Sequence, residues 1–271
     1  MTRPEVPASA GAERSRAPAG AARELRGRYT AADLTVFTGE EASRFVPQGD
    51  GDPQNDIVLA WELLYRLEPE LYDRLASAER LHPGVVGWLP RVDRIAEVGA
   101  GTGRLTMELV ERGQCVVAVE PALPLRRILR RKLAAAGHGD RVRLAHGFFD
   151  RLPLPDDSAD LVVACSAFTP SPGHGGESGL AEMERVCKPG GHVAIVWPNH
   201  LDWLAARGYR HVSFPGPMSV EFGSYDEAVE LAEIFYPKAA AEVRRRGLPS
   251  VPFEVLGINP PRDLACKVLS E

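Results

Sequence analysis

The sequence predicts an α/β protein with a doubly wound, mostly parallel sheet. Short apolar runs alternate with amphipathic stretches between about residues 92 and 198. These runs are almost continuously apolar, which is typical of strands that helices cover on both faces. The first run ends in a glycine-rich turn, and the next run ends in the acid Glu120. Alternation of this kind favours right-handed crossovers between parallel strands.

Five strands and three helices are predicted in this region. The strands cover Asp93–Val98, Cys115–Val119, Val142–His146, Leu161–Cys165 and His192–Trp197. The helices run from an N-cap at Thr102 to Gly113, over Pro124–Ala136, and over Leu180–Cys187. Two later apolar runs are predicted to pair as closing strands, Phe253–Ile258 and Leu264–Leu269.

The region before this core differs from it in composition. Residues 1–28 hold almost no large apolar side chains, so we expect a disordered tail there. Residues 29–91 are predicted to form a helical cap. One of its helices starts at Asn55 or Asp56, and Pro69 interrupts the helical pattern.

The predicted core, residues 92–198, is followed by an insertion over residues 199–250. One long helix is expected there, with Ser224 as its N-cap and Glu227 three residues later. We expect this insertion to cover a substrate, because variable segments on a constant scaffold usually set specificity. Residues 251–271 then return to the core sheet as the closing strand pair.

Composition excludes several classes of function. The chain has 271 residues and a net charge of -5, which argues against a nucleic-acid partner. No apolar run approaches the roughly 20 residues of a membrane span. The four cysteines lack the spacing of a metal site or a disulfide framework, so we expect buried, reduced thiols, no metal site and a cytoplasmic location. The high content of Ala, Arg, Gly and Pro is typical of a bacterial chain.

The glycine-rich turn indicates a nucleoside site. Glycines allow backbone amides to approach a ligand, and an acid at the tip of the second strand can accept hydrogen bonds from a ribose diol. A dinucleotide fingerprint requires Gly-x-Gly-x-x-Gly. Here the third glycine is Gly103, one position early, and Arg104 stands where that fingerprint needs glycine. The spacing therefore favours S-adenosylmethionine over a pyrophosphate ligand.

Four motifs in register resemble the class I S-adenosylmethionine-dependent methyltransferases, specifically their methyltransferase-11 or ubiquinone-biosynthesis-type small-molecule branch. The motifs are Glu97-Val98-Gly99-Ala100-Gly101-Thr102-Gly103, Glu120, Leu152-Pro153-Leu154-Pro155-Asp156-Asp157, and Lys188-Pro189-Gly190-Gly191. The resemblance implies a Rossmann-like sheet of seven strands with the last antiparallel. It also implies S-adenosyl-L-methionine as cofactor and a small-molecule methyl acceptor.

The resemblance also implies roles for individual residues. The turn formed by Gly99, Ala100, Gly101, Thr102 and Gly103 is expected to lie against the methionine end of the cofactor. Glu97 is expected to orient the cofactor amino group; the alternative is an acid that only pins the loop. Glu120, with Pro121 beside it, is expected to hold the ribose; the alternative is an ordinary strand-end acid.

The expected adenine contacts depart from the family pattern. Many relatives carry an aspartate where this chain has Phe148. Phe148 or Phe149 could stack on adenine, and Asp150 could reach its amino group; the alternative is that both aromatic side chains belong to the core. Ser166 follows the fourth strand, where its family counterparts face the methionine segment and the substrate.

Methyl transfer is a direct displacement, so a base is needed only for an oxygen acceptor or a protonated amine. His174 and His200 follow the ends of strands, where ligands bind in such sheets, and each is a candidate base. Two other functions stay open at this point. One is a nicotinamide-dependent oxidoreductase, and the other is a non-catalytic module that binds S-adenosylmethionine. The oligomeric state and the acceptor atom, O, N or C, are not indicated.

Overall fold

The computed structural model describes residues 25, 27–46, 56–171 and 175–271. The expectation of a disordered tail therefore falls almost wholly on residues outside the described ones. Helices α1 to α11 cover Glu40–Phe45, Ile57–Leu67, Pro69–Ala78, Pro83–Trp88, Thr106–Leu109, Leu123–Ala135, Gly176–Val186, Leu201–Ala205, Tyr225–Phe235, Ala240–Arg246 and Phe253–Leu256. Strands β1 to β9 cover Val92–Val98, Gly113–Val119, Val142–Ala145, Ala159–Cys165, Cys187–Val196, Arg210–Ser213, Ser219–Glu221, Ser250–Pro252 and Asp263–Val268.

A seven-stranded sheet forms the centre of the molecule, in the order β3-β2-β1-β4-β5-β9-β6. Strands β1 to β5 pair in parallel, and β9 runs antiparallel to both of its neighbours. The doubly wound sheet with its last strand antiparallel is thus confirmed. The strand order reverses between β1 and β4, and open α/β sheets bind ligands at the carboxyl ends of the strands around such a point.

Helices cover both faces of this sheet. Along β1, Ile95 joins one hydrophobic cluster, and Ala96 and Val98 join the other. Helix α6 packs on the first face through Leu129, and this contact explains one of the glycines. A Cβ at Gly103 would lie 2.5 Å from a methyl carbon of Leu129, and its φ of 101° is one that side chains rarely adopt, so this position favours glycine.

Of the two closing strands that the sequence predicts, the first is wrong. Residues Phe253–Leu256 form a short helix, whose buried side chains Phe253 and Leu256 stand three residues apart, as on one face of a helix. The antiparallel partner of β9 is instead Arg210–Ser213. The expected insertion over residues 199–250 therefore contains a core strand, and the periodicity hides it because Arg210–Ser213 is mostly exposed and polar.

Two predicted helices also change. The first one begins at Thr106, so Thr102 is not its N-cap. The long helix predicted after Ser224 is two helices, α9 and α10, separated by a turn that includes Pro237. Its start is confirmed, since the Ser224 hydroxyl accepts a hydrogen bond of 3.1 Å from the Glu227 amide. The cap contains a further short helix, Pro83–Trp88.

The helical cap and the later insertion pack against each other. The Trp61 ring of α2 stacks on Phe235 of α9, with 5.8 Å between ring centroids. Arg74 of α3 donates to Glu227 of α9 at 2.7 Å. In the cap, Asp56 caps α2 and Pro69 opens α3, so both expected boundaries are confirmed. Within the described part of the chain, no helix is long and apolar enough to cross a membrane.

The cysteines follow the expectation only in part. Cys187 and Cys266 are buried and Cys165 is half-buried, but Cys115 is exposed. All four are free thiols, as expected from their spacing. The exposure of Cys115 has a local reason: it lies near the amino end of β2, away from the covered centre of the sheet.

Candidate functional site

The glycine turn after β1 folds over the end of β2. The amides of Gly99 and Ala100 both donate to the carbonyl oxygen of Val119, at 2.9 and 3.1 Å. Gly99 and Gly101 adopt φ values of 74° and 56°, a region that side chains disfavour. The turn therefore depends on glycine at these two positions and lies at the switch point of the sheet.

Glu120 holds this turn in place. One carboxylate oxygen accepts the Gly101 amide at 2.9 Å, and the other accepts the Ala122 amide at 2.8 Å. The side chain is buried, and burial raises the pKa of Glu120 while the two amide hydrogen bonds oppose that rise. Each oxygen retains further acceptor capacity, because an ionised carboxylate offers about four lone-pair sites.

Glu97 lies at the end of β1 and is 1% exposed. Its carboxylate accepts a hydrogen bond of 2.6 Å from the Thr106 hydroxyl. Burial raises its pKa to about 8, and the hydrogen bond from Thr106 opposes the rise. A buried acid with so strongly shifted a pKa, at the switch point of an α/β sheet, is typical of a functional site.

The sequence predicts that the amides of the glycine turn are free to hold a ligand. In the structure these amides donate to acceptors within the protein instead. Those of Gly99, Ala100 and Gly101 donate to Val119 and Glu120, and that of Gly103 donates to the carbonyl oxygen of Ala100 at 2.9 Å. The helix that follows begins only at Thr106 and has four residues. A ligand carboxylate would therefore need side-chain partners in this part of the site.

A small cavity of about 20 Å³ lies beside the turn. It is lined by Tyr72, Ala76, Glu97, Gly99, Ala100, Thr102, Arg104, Leu105 and Cys165. The Thr102 hydroxyl is buried here, and no described residue forms a hydrogen bond with it. A buried polar group without a partner is costly, so the hydroxyl indicates a place for a polar ligand atom or a water.

Arg104 brings a positive charge to this small cavity. Its guanidinium donates to Glu79 at 2.5 Å and to the carbonyl oxygen of Ala76 at 3.2 Å, and it lies 5.2 Å from the Trp197 ring centroid. The Tyr236 hydroxyl also donates to Glu79. Arg104 thus reaches from the glycine turn across to the residue that follows β5.

Two residues at the ends of β4 and β5 have unusual backbone conformations. Ser166 and Trp197 adopt φ values of 55° and 53°. Strained residues of this kind cluster at functional sites. Cys165, next to Ser166, lines the small cavity, and burial raises the pKa of its thiol to about 11, so the thiol stays protonated at neutral pH.

A larger cavity of about 380 Å³ opens beside Pro121, the residue after Glu120. It is lined by Arg44, Phe45, Asp56, Val58, Leu59, Glu62, Pro121, Phe148, Phe149, Asp150 and Ser171. Of these, Pro121, Phe148, Phe149 and Asp150 were predicted from the sequence. Phe148 is largely buried under the Arg44 guanidinium, which lies 4.1 Å from the ring centroid. Asp150 accepts hydrogen bonds from Arg44 on both oxygens, each at 2.9 Å.

Of the two candidate histidines, the structure describes His200, which lies away from both cavities. His200 is the N-cap residue of the short helix α8 and lines neither cavity. His174 lies outside the described residues. Among the residues that line the two cavities, none is a histidine.

Sequence reasoning missed the contribution of the cap. Glu62 of α2 lines the larger cavity, and Tyr72 of α3 lines the smaller one. One signal was available for Glu62, because this acid shares its helix face with Leu59 and Leu63, which are buried. Tyr72 carries no such signal, since an aromatic residue on a helix face is usually part of a core.

Comparison with known proteins gives the same assignment for the central region. Residues 95–191 match the family model of a methyltransferase domain. An uncharacterised methyltransferase of Mycobacterium tuberculosis is 35% identical over 133 residues, which cover 46% of this chain and 50% of that protein. One from Geobacillus sp. is 33% identical over 128 residues, covering 44% of this chain and 58% of the relative. The chain spans about half the length of the curated relatives it matches.

Two solved structures are also similar. A putative S-adenosyl-L-methionine-dependent methyltransferase from Methanococcus maripaludis is 16% identical, with a TM-score of 0.41 over 78% of this chain and 90% of that one. A phosphoethanolamine N-methyltransferase of Haemonchus contortus, in complex with phosphoethanolamine and S-adenosylhomocysteine, is 18% identical, with a TM-score of 0.37 over 46% and 26%. Residues 95–191 thus match a methyltransferase domain, and over this region the chain is similar to curated methyltransferases.

Proposed function

We propose that the protein transfers the methyl group of S-adenosylmethionine to an oxygen, nitrogen or carbon atom of a small molecule. The main support for this function is a pair of cavities along the carboxyl edge of the sheet, whose linings differ in chemistry. Pro121 lines the larger one and Ala100 the smaller one, and the residues next to them, Glu120 and Gly101, are joined by a hydrogen bond. A nucleoside joined to an amino acid needs two such neighbouring spaces.

The smaller cavity suits the amino-acid end of this cofactor. Glu97 would accept a hydrogen bond from the ammonium group. Arg104 and the unpartnered Thr102 hydroxyl would donate to the carboxylate. An acid, a guanidinium and a free hydroxyl in one small space are the set of groups that a zwitterion requires.

The larger cavity suits adenosine. Phe148 and Phe149 offer aromatic faces and Pro121 an apolar wall, and Glu120, the residue before Pro121, would bring its carboxylate to the ribose diol. Asp150 is held by Arg44, so it would meet adenine only after a change of partner. These assignments rest on the chemistry of the cavity lining and on the resemblance of the motifs.

When bound, the cofactor supplies an electrophilic methyl group on a sulfonium sulfur. The residues of the chain then have to align the acceptor and exclude water, and positioning alone can be worth about 7 kcal/mol or more. The cap suits the second task, because Tyr72 covers the glycine turn from outside. For an oxygen acceptor or a protonated amine, His200 and His174 remain the proposed bases.

Titration calorimetry with the full chain tests this proposal. S-adenosylhomocysteine should bind and NADH should not, and the purified protein should then move a radiolabelled methyl group into a small-molecule extract. Binding of NADH without S-adenosylhomocysteine would instead support a nicotinamide-dependent oxidoreductase. Binding of S-adenosylhomocysteine without transfer to any fraction would support a non-catalytic module.

A further inference from the structure

We propose that Glu62 of the cap is a second ribose-binding carboxylate, which supplements Glu120 from the wall of the larger cavity. The proposal rests on the proposed function, because it assigns a further residue of the same cofactor site. It makes the cap part of the nucleoside site rather than only a cover for the substrate.

Glu62 lies at the wall of the larger cavity. Its side chain is 9% exposed, and that exposure is to the larger cavity, which it lines together with Pro121, the residue after Glu120. Burial raises the pKa of Glu62 to about 7 against the opposing effect of Arg66, and the negative charge of Glu120 adds to the rise. The two carboxylates are therefore near enough for their charges to interact.

The hydrogen bonds of Glu62 to described residues use only one of its two carboxylate oxygens. One oxygen, Oε2, accepts from Arg66 at 2.6 Å, and Arg66 also donates to Glu41 at 2.8 Å. Oε1 of Glu62 accepts a hydrogen bond from no described residue. Glu62 itself is one of the residues that line the larger cavity. An acceptor on the cavity wall is thus available to a ligand.

The other acids of the cavity are already occupied by protein partners. Asp56 caps α2, since one of its oxygens accepts the amides of Val58 and Leu59 at 2.9 and 3.1 Å. Both oxygens of Asp150 accept from Arg44. Asp56 and Asp150 are exposed, whereas Glu62 is buried and keeps one oxygen that no described residue's donor reaches.

The chemistry of the ligand follows from this excess of acceptors. Two interacting carboxylates favour a ligand that brings hydrogen-bond donors, and the vicinal hydroxyls of a ribose bring two. Glu120 already accepts one main-chain amide on each oxygen, so a second acceptor lets both hydroxyls find strong partners. We expect this site to select ribonucleosides over deoxyribonucleosides.

A purely structural role for Glu62 would give a different result. In that case its function is to neutralise Arg66, and a change at Glu62 would weaken all nucleoside ligands alike through the cap. The decisive measurement is therefore the difference between S-adenosylhomocysteine and its 2′-deoxy and 3′-deoxy analogues. That difference reports on the hydroxyl contact and is insensitive to a general loosening of the cap.

The experiment is titration calorimetry of the full chain with these three ligands. Glu62→Gln should weaken S-adenosylhomocysteine about tenfold, the scale of one hydrogen bond to a charged group. The same variant should bind at least one deoxy analogue nearly as well as the unmodified protein does. Glu70→Gln is the matched control, because Glu70 is an exposed acid of the cap that pairs with Arg131 at 3.1 Å; all three affinities should stay unchanged.

Two results would overturn the proposal while leaving the proposed function intact. One is equal loss for all three ligands in Glu62→Gln, and the other is no loss for any of them. If Glu62→Gln does not fold, Glu62→Asp gives the same comparison, because it keeps a charge for Arg66 but withdraws the carboxylate from the cavity. Failure of the unmodified protein to bind S-adenosylhomocysteine would overturn the proposed function and this proposal with it.

Discussion

The Tyr72 hydroxyl lies over Gly101, 3.1 Å from the position that a Cβ atom there would take. This contact closes the smaller cavity, whose volume of about 20 Å³ has room for roughly one water molecule. The amino-acid end of a cofactor is much larger than that. If S-adenosylmethionine binds as proposed, Tyr72 and the cap helix Pro69–Ala78 have to move away from the glycine turn.

The contact with Tyr72 predicts that Gly101→Ala is more harmful than backbone strain alone would make it. Gly137 is the matched control, because it also has a positive φ, 73°, but nothing within 4 Å of the position of its Cβ. Both substitutions should cost about 1–2 kcal/mol for the left-handed conformation. Gly101→Ala should cost more and should also weaken S-adenosylhomocysteine, as measured by urea unfolding and calorimetry. Equal losses of stability and unchanged binding would contradict the contact.

Burial of Glu97 predicts a pH-dependent stability. The pKa of Glu97 is about 8 in the folded protein, against an ordinary value of 4.5, so the folded state holds its proton over that interval. The unfolded state then binds fewer protons, and stability falls as pH rises from about 4.5 to 8. The variant Glu97→Gln has no proton to lose at this position. Its free energy of unfolding relative to that of the unmodified protein should therefore rise by about 2–4 kcal/mol between pH 5 and pH 8.

Urea unfolding at pH 5, 6.5 and 8 measures this difference. Glu62, with a pKa of about 7, adds to the slope of both proteins and cancels in the comparison. Glu254→Gln serves as the control, because Glu254 is exposed on the short helix Phe253–Leu256. A stability difference that stays constant from pH 5 to pH 8 would show that Glu97 is ionised in the folded protein.

The sequence predicts the centre of the site well because its contacts are local. The end of β1, the glycine turn and Glu120 lie within about 25 residues of each other. The spacing of their residue types already predicts which of them contact each other. The parallel strands are equally visible, since burial on both faces makes each a continuous apolar run. For these features the local pattern and the tertiary structure agree.

The sequence could not predict the parts that depend on distant partners. The edge strand Arg210–Ser213 has no apolar pattern, and it is a strand because its backbone pairs with Asp263–Val268. Glu62 and Tyr72 belong to the site only because the cap folds back over the sheet. The composition of a helix does not predict which cavity its residues will line.

The buried pair of Glu79 and Arg104 predicts a large loss of stability on substitution. Both side chains are almost fully buried, 7% and 13% exposed, and their charges lie 2.5 Å apart. Glu79→Ala would leave the guanidinium of Arg104 buried without its counter-ion, which typically costs about 3–5 kcal/mol. Glu70→Ala, in the exposed pair with Arg131, should change stability by less than about 1 kcal/mol. Similar losses for both variants in urea unfolding would mean that Arg104 reaches solvent when Glu79 is removed.

Glu120→Ala should affect both the empty protein and the binding of the cofactor. The amides of Gly101 and Ala122 lose their acceptor, so the protein without ligand should be destabilised by about 1–3 kcal/mol. The ribose would lose its partner as well, and S-adenosylhomocysteine should bind more weakly by about 1.5–3 kcal/mol.

The two effects separate in Glu120→Gln. Its amide oxygen can still accept one main-chain hydrogen bond, so this variant should recover part of the stability while binding remains weak, because the negative charge facing the ribose is gone. Thermal unfolding without ligand and calorimetry with S-adenosylhomocysteine measure the two quantities independently. A dissociation constant that is unchanged in both variants would restrict Glu120 to holding the glycine turn, and the ribose would then have to be bound elsewhere along the larger cavity.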